Sequence, residues 1–290
     1  MDNLMQTINN TAELRQVIQA YQQAGKSIAF VPTMGNLHEG HLSLIDAAKT
    51  HADIVVASIF VNPMQFGENE DLDAYPRTLE ADAKSLSSRG CQILFAPSAK
   101  EVYPNGTQAE TRVDVPSLVN HHCGASRPGH FIGVATVVTK LFNMVQPDVA
   151  VFGEKDFQQL AVIRKMAQDL CMPIRIIGVA ISREPSGLAR SSRNGYLTPE
   201  EKNAAAKIYQ ILLKCKKELE NGACDFEYLC KKAITELEVQ GFKKDYFNIA
   251  NPITLEAASA DNNKYVILAA AYLGNTRLID NISVSLEARS

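Results

Sequence analysis

The chain has 290 residues, 46% of them hydrophobic and 21% charged, with 29 Lys and Arg against 32 Asp and Glu for a formal net charge of -3. That length divides a core between two domains rather than enlarging one, and the balanced charge excludes a sequence-independent grip on nucleic acid, which needs a basic face to neutralise phosphates. No apolar run approaches the roughly 20 residues that cross a bilayer, and the opening MDNLMQTINN lacks the basic-then-apolar layout of a secretory signal, so a cytoplasmic protein without a membrane partner is expected.

Short β-branched apolar runs at 27–31, 54–61, 93–96, 149–152 and 174–181 alternate with stretches at 42–49, 76–89, 134–145 and 157–170 that carry apolar residues at three- and four-residue intervals. Strand composition followed by helical period predicts βαβ units, and so a parallel sheet covered by helices. Pro76 is placed to open its helix, because the first turn does not need the N–H that proline lacks. Past 182 the texture changes. A polar loop at 183–194 leads through Thr198, a good N-cap before Pro199, into a long helix rich in Ala, Lys and Leu. A boundary is expected at 178–186, dividing the chain into domains 1–180 and 181–290. In the second, 226–239 reads as a helix and 246–249, 265–273 and 277–284 read as strands. Gly274 and Asn275 join the last two as a tight hairpin, because both tolerate positive φ. The six cysteines, Cys91, Cys123, Cys171, Cys215, Cys224 and Cys230, form no C-x-x-C pair, so they read as reduced thiols, some packed as small hydrophobes.

Chemistry concentrates where predicted strands give way to helices. The first strand runs on through Pro32, Thr33, Met34, Gly35, Asn36 and Leu37 into His38, Glu39, Gly40 and His41, with a helix beginning near Gly40. A helix N-terminus offers unpaired N–H groups and a positive dipole end, a natural seat for phosphate. His38 and His41 can face one bound anion there, donate hydrogen bonds to its oxygens and stabilise charge building up at phosphorus. Two other readings stand beside this one: histidines that merely cap the helix, and a metal site. The zinc pattern H-E-x-x-H places its second histidine where this chain has Leu42.

Gly153, Glu154, Lys155 and Asp156, followed by Phe157, Gln158 and Gln159, mark a second junction. Ligands gather at the carboxyl ends of strands in an open parallel sheet, so the two junctions are expected to share a crevice. Lys155 can offset triphosphate charge and Asp156 can accept from ribose hydroxyls, although the pair also reads as a solvated helix start. Ser191, Ser192, Arg193 and Asn194 combine hydroxyls with a guanidinium that can fork onto phosphate oxygens, in a loop that Ser186 and Gly187 allow to move. Asn62, Pro63, Met64 and Gln65 end another strand. Gln65 and Gln159 supply amides that both donate and accept, suited to a hydroxylated substrate. Arg127 and His130 add a cation and an imidazole before a helix, while the adjacent His121 and His122 read as surface residues. No G-x-S-x-G elbow or P-loop is present, which fits a reaction in which a substrate carboxylate attacks ATP.

The run from Pro32 to His41 resembles the H-x-G-H nucleotidylyltransferase signature, shared with class I aminoacyl-tRNA synthetases. In order, the segments at 60–66, 75–78, 127–131, 152–159 and 191–194 resemble the pantothenate synthetase family, the pantoate–β-alanine ligases. The resemblance implies an α/β fold: a Rossmann-like doubly wound parallel sheet with a smaller α+β C-terminal lid domain, in a homodimer built through the N-terminal domains. It implies ATP as co-substrate with Mg2+, and a condensation of pantoate with β-alanine through pantoyl adenylate that yields pantothenate, AMP and pyrophosphate. Met34, Gly35, Asn36, Leu37, His38, Glu39, Gly40 and His41, with Gly153, Glu154, Lys155 and Asp156, would hold ATP. His41 would be the principal catalytic group, with His38, Lys155 and Arg193 stabilising charge. Gln65 and Gln159 would bind pantoate, with Asn62, Arg127 and His130 on the same rim and Gln65 also near β-alanine. Ser191, Ser192 and Arg193 would close over the phosphates, with Arg190 also at the ATP site, and Asp82 sits in the acidic stretch the family associates with magnesium. Arg190 stands where Met or Leu is usual, and Pro185 and Ser186 depart from an acidic position. The remaining alternatives are another nucleotidylyltransferase and a non-catalytic nucleotide sensor.

Overall fold

A computed structural model describes residues 5–67, 72 and 75–286; residues 1–4 of the N-terminal stretch read above lie outside the described residues. The chain forms two compact units. The first comprises the residues up to Val119 with Arg127–Glu154 and Gln159–Ala180, and the second comprises Asn120–Ser126, Lys155–Gln158 and Ile181–Ser290.

In chain order the elements begin β1 (Gln6–Ile8), α1 (Thr11–Gln23), β2 (Ile28–Thr33), α2 (Glu39–Lys49), β3 (Ile54–Ile59), α3 (Leu79–Ser88), β4 (Ile93–Phe95), α4 (Ala99–Val102) and α5 (Pro116–Val119). They continue with α6 (His122–Ser126), α7 (His130–Val145), β5 (Val149–Gly153), α8 (Phe157–Asp169) and β6 (Arg175–Val179). The six strands form one sheet in the order β1-β4-β3-β2-β5-β6, every neighbouring pair parallel. Its central strands are buried on both faces, with Ala29, Phe30, Val31, Val55, Val56 and Ala57 at 0% exposure. Strands buried this way read as unbroken apolar runs, which is why they are legible in the sequence. From β2 the order runs through β3 and β4 in one direction and through β5 and β6 in the other. That reversal makes the carboxyl ends of β2 and β5 the switch point at which open α/β sheets bind ligands.

The second unit holds α9 (Pro199–Ala205), α10 (Lys207–Glu220), α11 (Phe226–Val239), β7 (Lys243–Ala250), β8 (Lys264–Leu273) and β9 (Thr276–Ser285), with the strands antiparallel in the order β7-β8-β9. Ile208, Ile211, Leu212, Cys215 and Leu219 make one stripe of α10 and pack with Leu229, Ala233 and Leu237 of α11 and with Phe247, Ile267 and Ala269 of the sheet. Thr198 caps α9 as expected, in a reciprocal box in which its hydroxyl accepts from the Glu201 N–H at 3.2 Å and Glu201 accepts from the Thr198 N–H at 2.8 Å.

Some boundaries differ from the sequence reading. The long helix after Pro199 is two helices that meet at Ala206. Pro76 does not open α3, which starts at Leu79 behind Thr78. In the β8–β9 hairpin the positive φ falls on Gly274, at 56°. β1 and α1 escape notice in the sequence because one is three residues long and the other buries only Leu14 and Ile18. No helix among the described residues is long and apolar enough to cross a membrane.

Candidate active site

The turn that follows β2 is unusual in its backbone. Gly35 and Asn36 both take positive φ, 86° and 52°, and a methyl group on Gly35 would lie 3.1 Å from Asp82 Oδ2 and from Ile59. Asp82, buried on α3, explains the crowding. Its Oδ1 accepts from the Leu37 N–H at 2.8 Å, and its Oδ2 accepts from the Asn36 N–H at 2.9 Å and the Thr78 hydroxyl at 3.0 Å. Hydrogen bonds from consecutive main-chain donors offset the cost of burying a carboxylate. Asp82 therefore holds the turn. Among the described residues no cluster of three or more His, Cys, Asp or Glu could hold a metal ion.

Behind the turn, His38 is the N-cap of α2 in an extended conformation. Its Nδ1 accepts from the Gly40 N–H at 3.1 Å, while His41 Nδ1 accepts from the His38 N–H at 3.3 Å. A ring nitrogen that accepts carries a lone pair, so both imidazoles are neutral with their proton on Nε2. The rings lie 4.1 Å apart, centroid to centroid, tilted by 38°. Capping and anion binding are separate readings of the sequence. Here capping is real, and it fixes the tautomer that makes Nε2–H a donor on each ring. The Glu39 side chain accepts from Arg89 at 2.6 Å while Arg89 also bonds Asp46 at 2.7 Å. Its carboxylate favours the helix start through the dipole.

A second cluster in the same unit surrounds Gln65. Asn62 is 1% exposed. Its Nδ2 donates to Gln65 Oε1 and to the Gly133 carbonyl, both at 3.1 Å, and its Oδ1 accepts from the Met64 N–H at 3.2 Å and the Tyr103 hydroxyl at 2.7 Å. Burial pushes the Tyr103 phenol well above its usual range, so it stays a donor. All four hydrogen-bonding positions of the Asn62 amide are thus used within the protein. Asn62, expected among the pantoate ligands, instead orients Gln65, whose Nε2 lies 3.0 Å from Met34 Sδ. Arg127 and His130 also act on Gln65. His130 Nδ1 donates to the Gln65 carbonyl at 2.8 Å, and Arg127 reaches that carbonyl at 3.4 Å and His130 Nε2 at 3.0 Å. Gly133 lets α7 approach this close, for a Cβ there would lie 2.2 Å from the Met64 carbonyl oxygen. Gly153 ends β5 with nothing within 4 Å of where its Cβ would stand, ahead of the half-buried Glu154. Gln159 is half-buried in the first turn of α8.

The other predicted residues belong to the second unit. Lys155, with a side chain 19% exposed, pairs with the more exposed Asp156 at 3.7 Å. The loop expected to be mobile is a small hairpin. Arg183 and Ala189 form a bridge, Glu184 N–H donates to the Leu188 carbonyl at 2.8 Å, and Arg190 N–H donates to the Ser182 carbonyl at 2.9 Å. Gly187 turns it at φ 91°, against the Tyr209 ring. Ser191 then caps the short turn Ser192–Tyr196 by accepting from the Arg193 N–H at 3.3 Å, and Arg190, Ser191, Ser192 and Arg193 are all half-buried.

His122 is not the plain surface residue expected. Its Nε2 bonds the Leu255 carbonyl at 2.9 Å and its Nδ1 bonds the Asn248 amide at 2.8 Å, and burial lowers its pKa. Sequence reasoning also passes over Arg183, Asp280 and Asn281. Arg183 straddles the Asp280 carboxylate at 2.7 and 2.9 Å with its guanidinium 3.6 Å from the Tyr209 ring centre. The signal for them is a charged residue and an amide side by side in a strand otherwise rich in apolar residues.

A parallel sheet that reverses between β2 and β5, with paired imidazoles capping the helix at the end of β2, defines a Rossmann-like nucleotide-binding enzyme of the H-x-G-H class. The family model described as pantoate-beta-alanine ligase matches residues 6–283. The pantothenate synthetase of Alteromonas mediterranea is 57% identical over 281 residues, covering 97% of this chain and 100% of the relative, and that of Marinobacter nauticus is 55% identical over the same shares. Among solved structures, pantothenate synthetase from Thermus thermophilus superposes with a TM-score of 0.88 at 44% identity, over 96% of this chain and 99% of that one. A pantoate-beta-alanine ligase from Francisella tularensis, solved with beta-gamma ATP and beta-alanine, gives 0.80 at 36% identity, over 96% and 97%. The chain belongs to the pantoate–β-alanine ligase family, ATP-dependent enzymes that form an amide bond.

Proposed function

We propose that the chain condenses pantoate with β-alanine by two displacements at one site. A pantoate carboxylate oxygen attacks the α-phosphorus of ATP, the bond from that phosphorus to the bridging oxygen breaks, and pyrophosphate leaves. The β-alanine amine then attacks the acyl carbon of pantoyl adenylate, loses a proton and expels AMP, leaving pantothenate. No side chain becomes covalently attached, so the protein contributes positioning and electrostatic stabilisation.

The observation that carries this reading is the pair of neutral imidazoles at the start of α2, each with its proton on Nε2 because Nδ1 is committed to the helix cap. Such donors are oriented before substrate arrives and cost no reorganisation as charge develops on the phosphorus oxygens. Met34, Gly35, Asn36, Leu37 and Gly40 line the same turn, and Gly153 and Glu154 close the neighbouring strand end. Gln65 meets pantoate and β-alanine through its amide, while Asn62, Arg127 and His130 set its orientation; Gln159 completes the pantoate contacts. Lys155, Asp156, Ser191, Ser192 and Arg193 act on ATP, supported by the family motifs in which they stand, with Arg190 directly before the last of these motifs. Magnesium accompanies the nucleotide, and Asp82, in the acidic stretch that the family associates with the ion, also holds the turn. The homodimer rests on family membership.

Labelled pyrophosphate tests the first displacement. With ATP and pantoate but no β-alanine, label is expected to enter ATP. Exchange that ignores pantoate would point to a different nucleotidylyltransferase, and no exchange to a nucleotide sensor. His41→Ala is expected to lower the exchange rate roughly 10²- to 10³-fold, the usual cost of one preorganised donor; near-normal turnover would remove His41 from the chemistry.

A further inference from the structure

Asp280 and Asn281 stand side by side on β9 at 5% and 4% exposure. A buried carboxylate and a buried amide are costly unless their hydrogen bonds are made, so their partners show what they are for. Arg183 holds Asp280 by two prongs, and Asp280 Oδ1 also accepts from the Asn281 N–H at 2.8 Å. Arg183 Nη2 reaches the Asn281 carbonyl at 3.4 Å, and β8 places Leu268 opposite Asn281 in the ladder. The main chain of Asn281 is therefore held on both sides. From this fixed point Asn281 Nδ2 donates to the main-chain carbonyl of Lys155 at 2.9 Å. The Lys155 charge also acts on Asp280, whose carboxyl burial pushes up against the pull of Arg183.

Lysine carries its ammonium as a point charge on a flexible four-carbon stem, so the placement of its peptide decides where the stem begins. A misplacement of about 1 Å can cost about 10²-fold in rate. We propose that Asn281 is a positioning residue for Lys155, setting the orientation of its peptide so that the ammonium meets the phosphates of ATP. This inference rests on the role given above to Lys155.

Pantoate-dependent pyrophosphate exchange in wild type, Asn281→Ala, Lys155→Ala and the double variant tests it. Asn281→Ala is expected to lower exchange turnover by about 10- to 100-fold, and the loss is expected to vanish in the Lys155→Ala background, where nothing remains to be positioned. A purely structural role would lower both backgrounds by the same factor, and that equal loss, or no loss in either, overturns the proposal. Should Asn281→Ala fail to fold, Asn281→Asp keeps the outline without the donor and completes the same cycle. Near-normal exchange in Lys155→Ala alone would sink the role of Lys155 itself. A crippled Lys155→Ala with an undiminished Asn281 effect would sink the positioning inference only.

Discussion

The turn between β2 and α2 and the hairpin that leads into Ser191 both position residues that the family motifs mark for ATP, yet they are braced differently. In the first, the bonds that set His38 and His41 join residues two or three apart, and one more distant side chain, Asp82, clamps the preceding main chain. In the second, the hairpin hangs on a buried ion pair between Arg183 and Asp280, separated by 97 positions, and Lys155 is held by Asn281, separated by 126. Local capping makes a site recognisable from a short string of residues. Long-range bracing leaves residues whose importance shows only when the chain is folded.

The contrast can be broken most severely at the ion pair. Arg183→Ala is expected to destabilise the protein by about 3–5 kcal/mol, because it leaves the Asp280 carboxylate buried without its partner. Urea unfolding would check this, and a loss under about 1 kcal/mol would mean that water replaces the guanidinium. Asp82→Ala strikes the other region. Two partly buried N–H groups lose their acceptor at up to about 1–3 kcal/mol each, and the displaced turn is expected to depress pyrophosphate exchange beyond any change in folded fraction. Stability lost with specific activity intact would show that the clamp serves folding alone.

A smaller effect separates His122, which braces the second unit, from the histidines of the cap. Its pKa is lowered by burial from the ordinary 6.5, so the folded state binds its proton less readily than the unfolded chain. The stability it contributes is complete above 6.5 and is lost as pH falls from there through the lower folded value. His122→Gln is expected to flatten the acid side of the melting-temperature profile between about pH 7 and pH 5. Parallel profiles for variant and wild type would show that another group titrates there.

Much of the architecture is legible in the sequence. Five strands of the parallel sheet and the helices α2, α3, α7, α8 and α11 follow from apolar composition and period, because a doubly covered sheet needs unbroken apolar strands and each helix needs one apolar stripe. The H-x-G-H turn is legible for a similar reason, since cap, glycine and imidazoles lie within one short segment. Asn62, Arg127 and His130 can be placed near Gln65 in outline, but not their direction. Only the folded chain shows them bonded to Gln65. For Asp82, nothing in a row of side chains reveals that two main-chain N–H groups lie against it.

What the amino-acid sequence determined by itself is the set of elements, the H-x-G-H helix start and the family, all products of propensity and pattern acting over a few residues or a helical turn. What only the tertiary structure decided is which polar groups meet across the chain: Asp82 with the turn, Arg183 with Asp280, Asn281 with Lys155. Those pairings depend on distant segments being brought together by packing, and a buried polar group takes whichever partner the packing sets beside it, since leaving it without one costs more than any local preference.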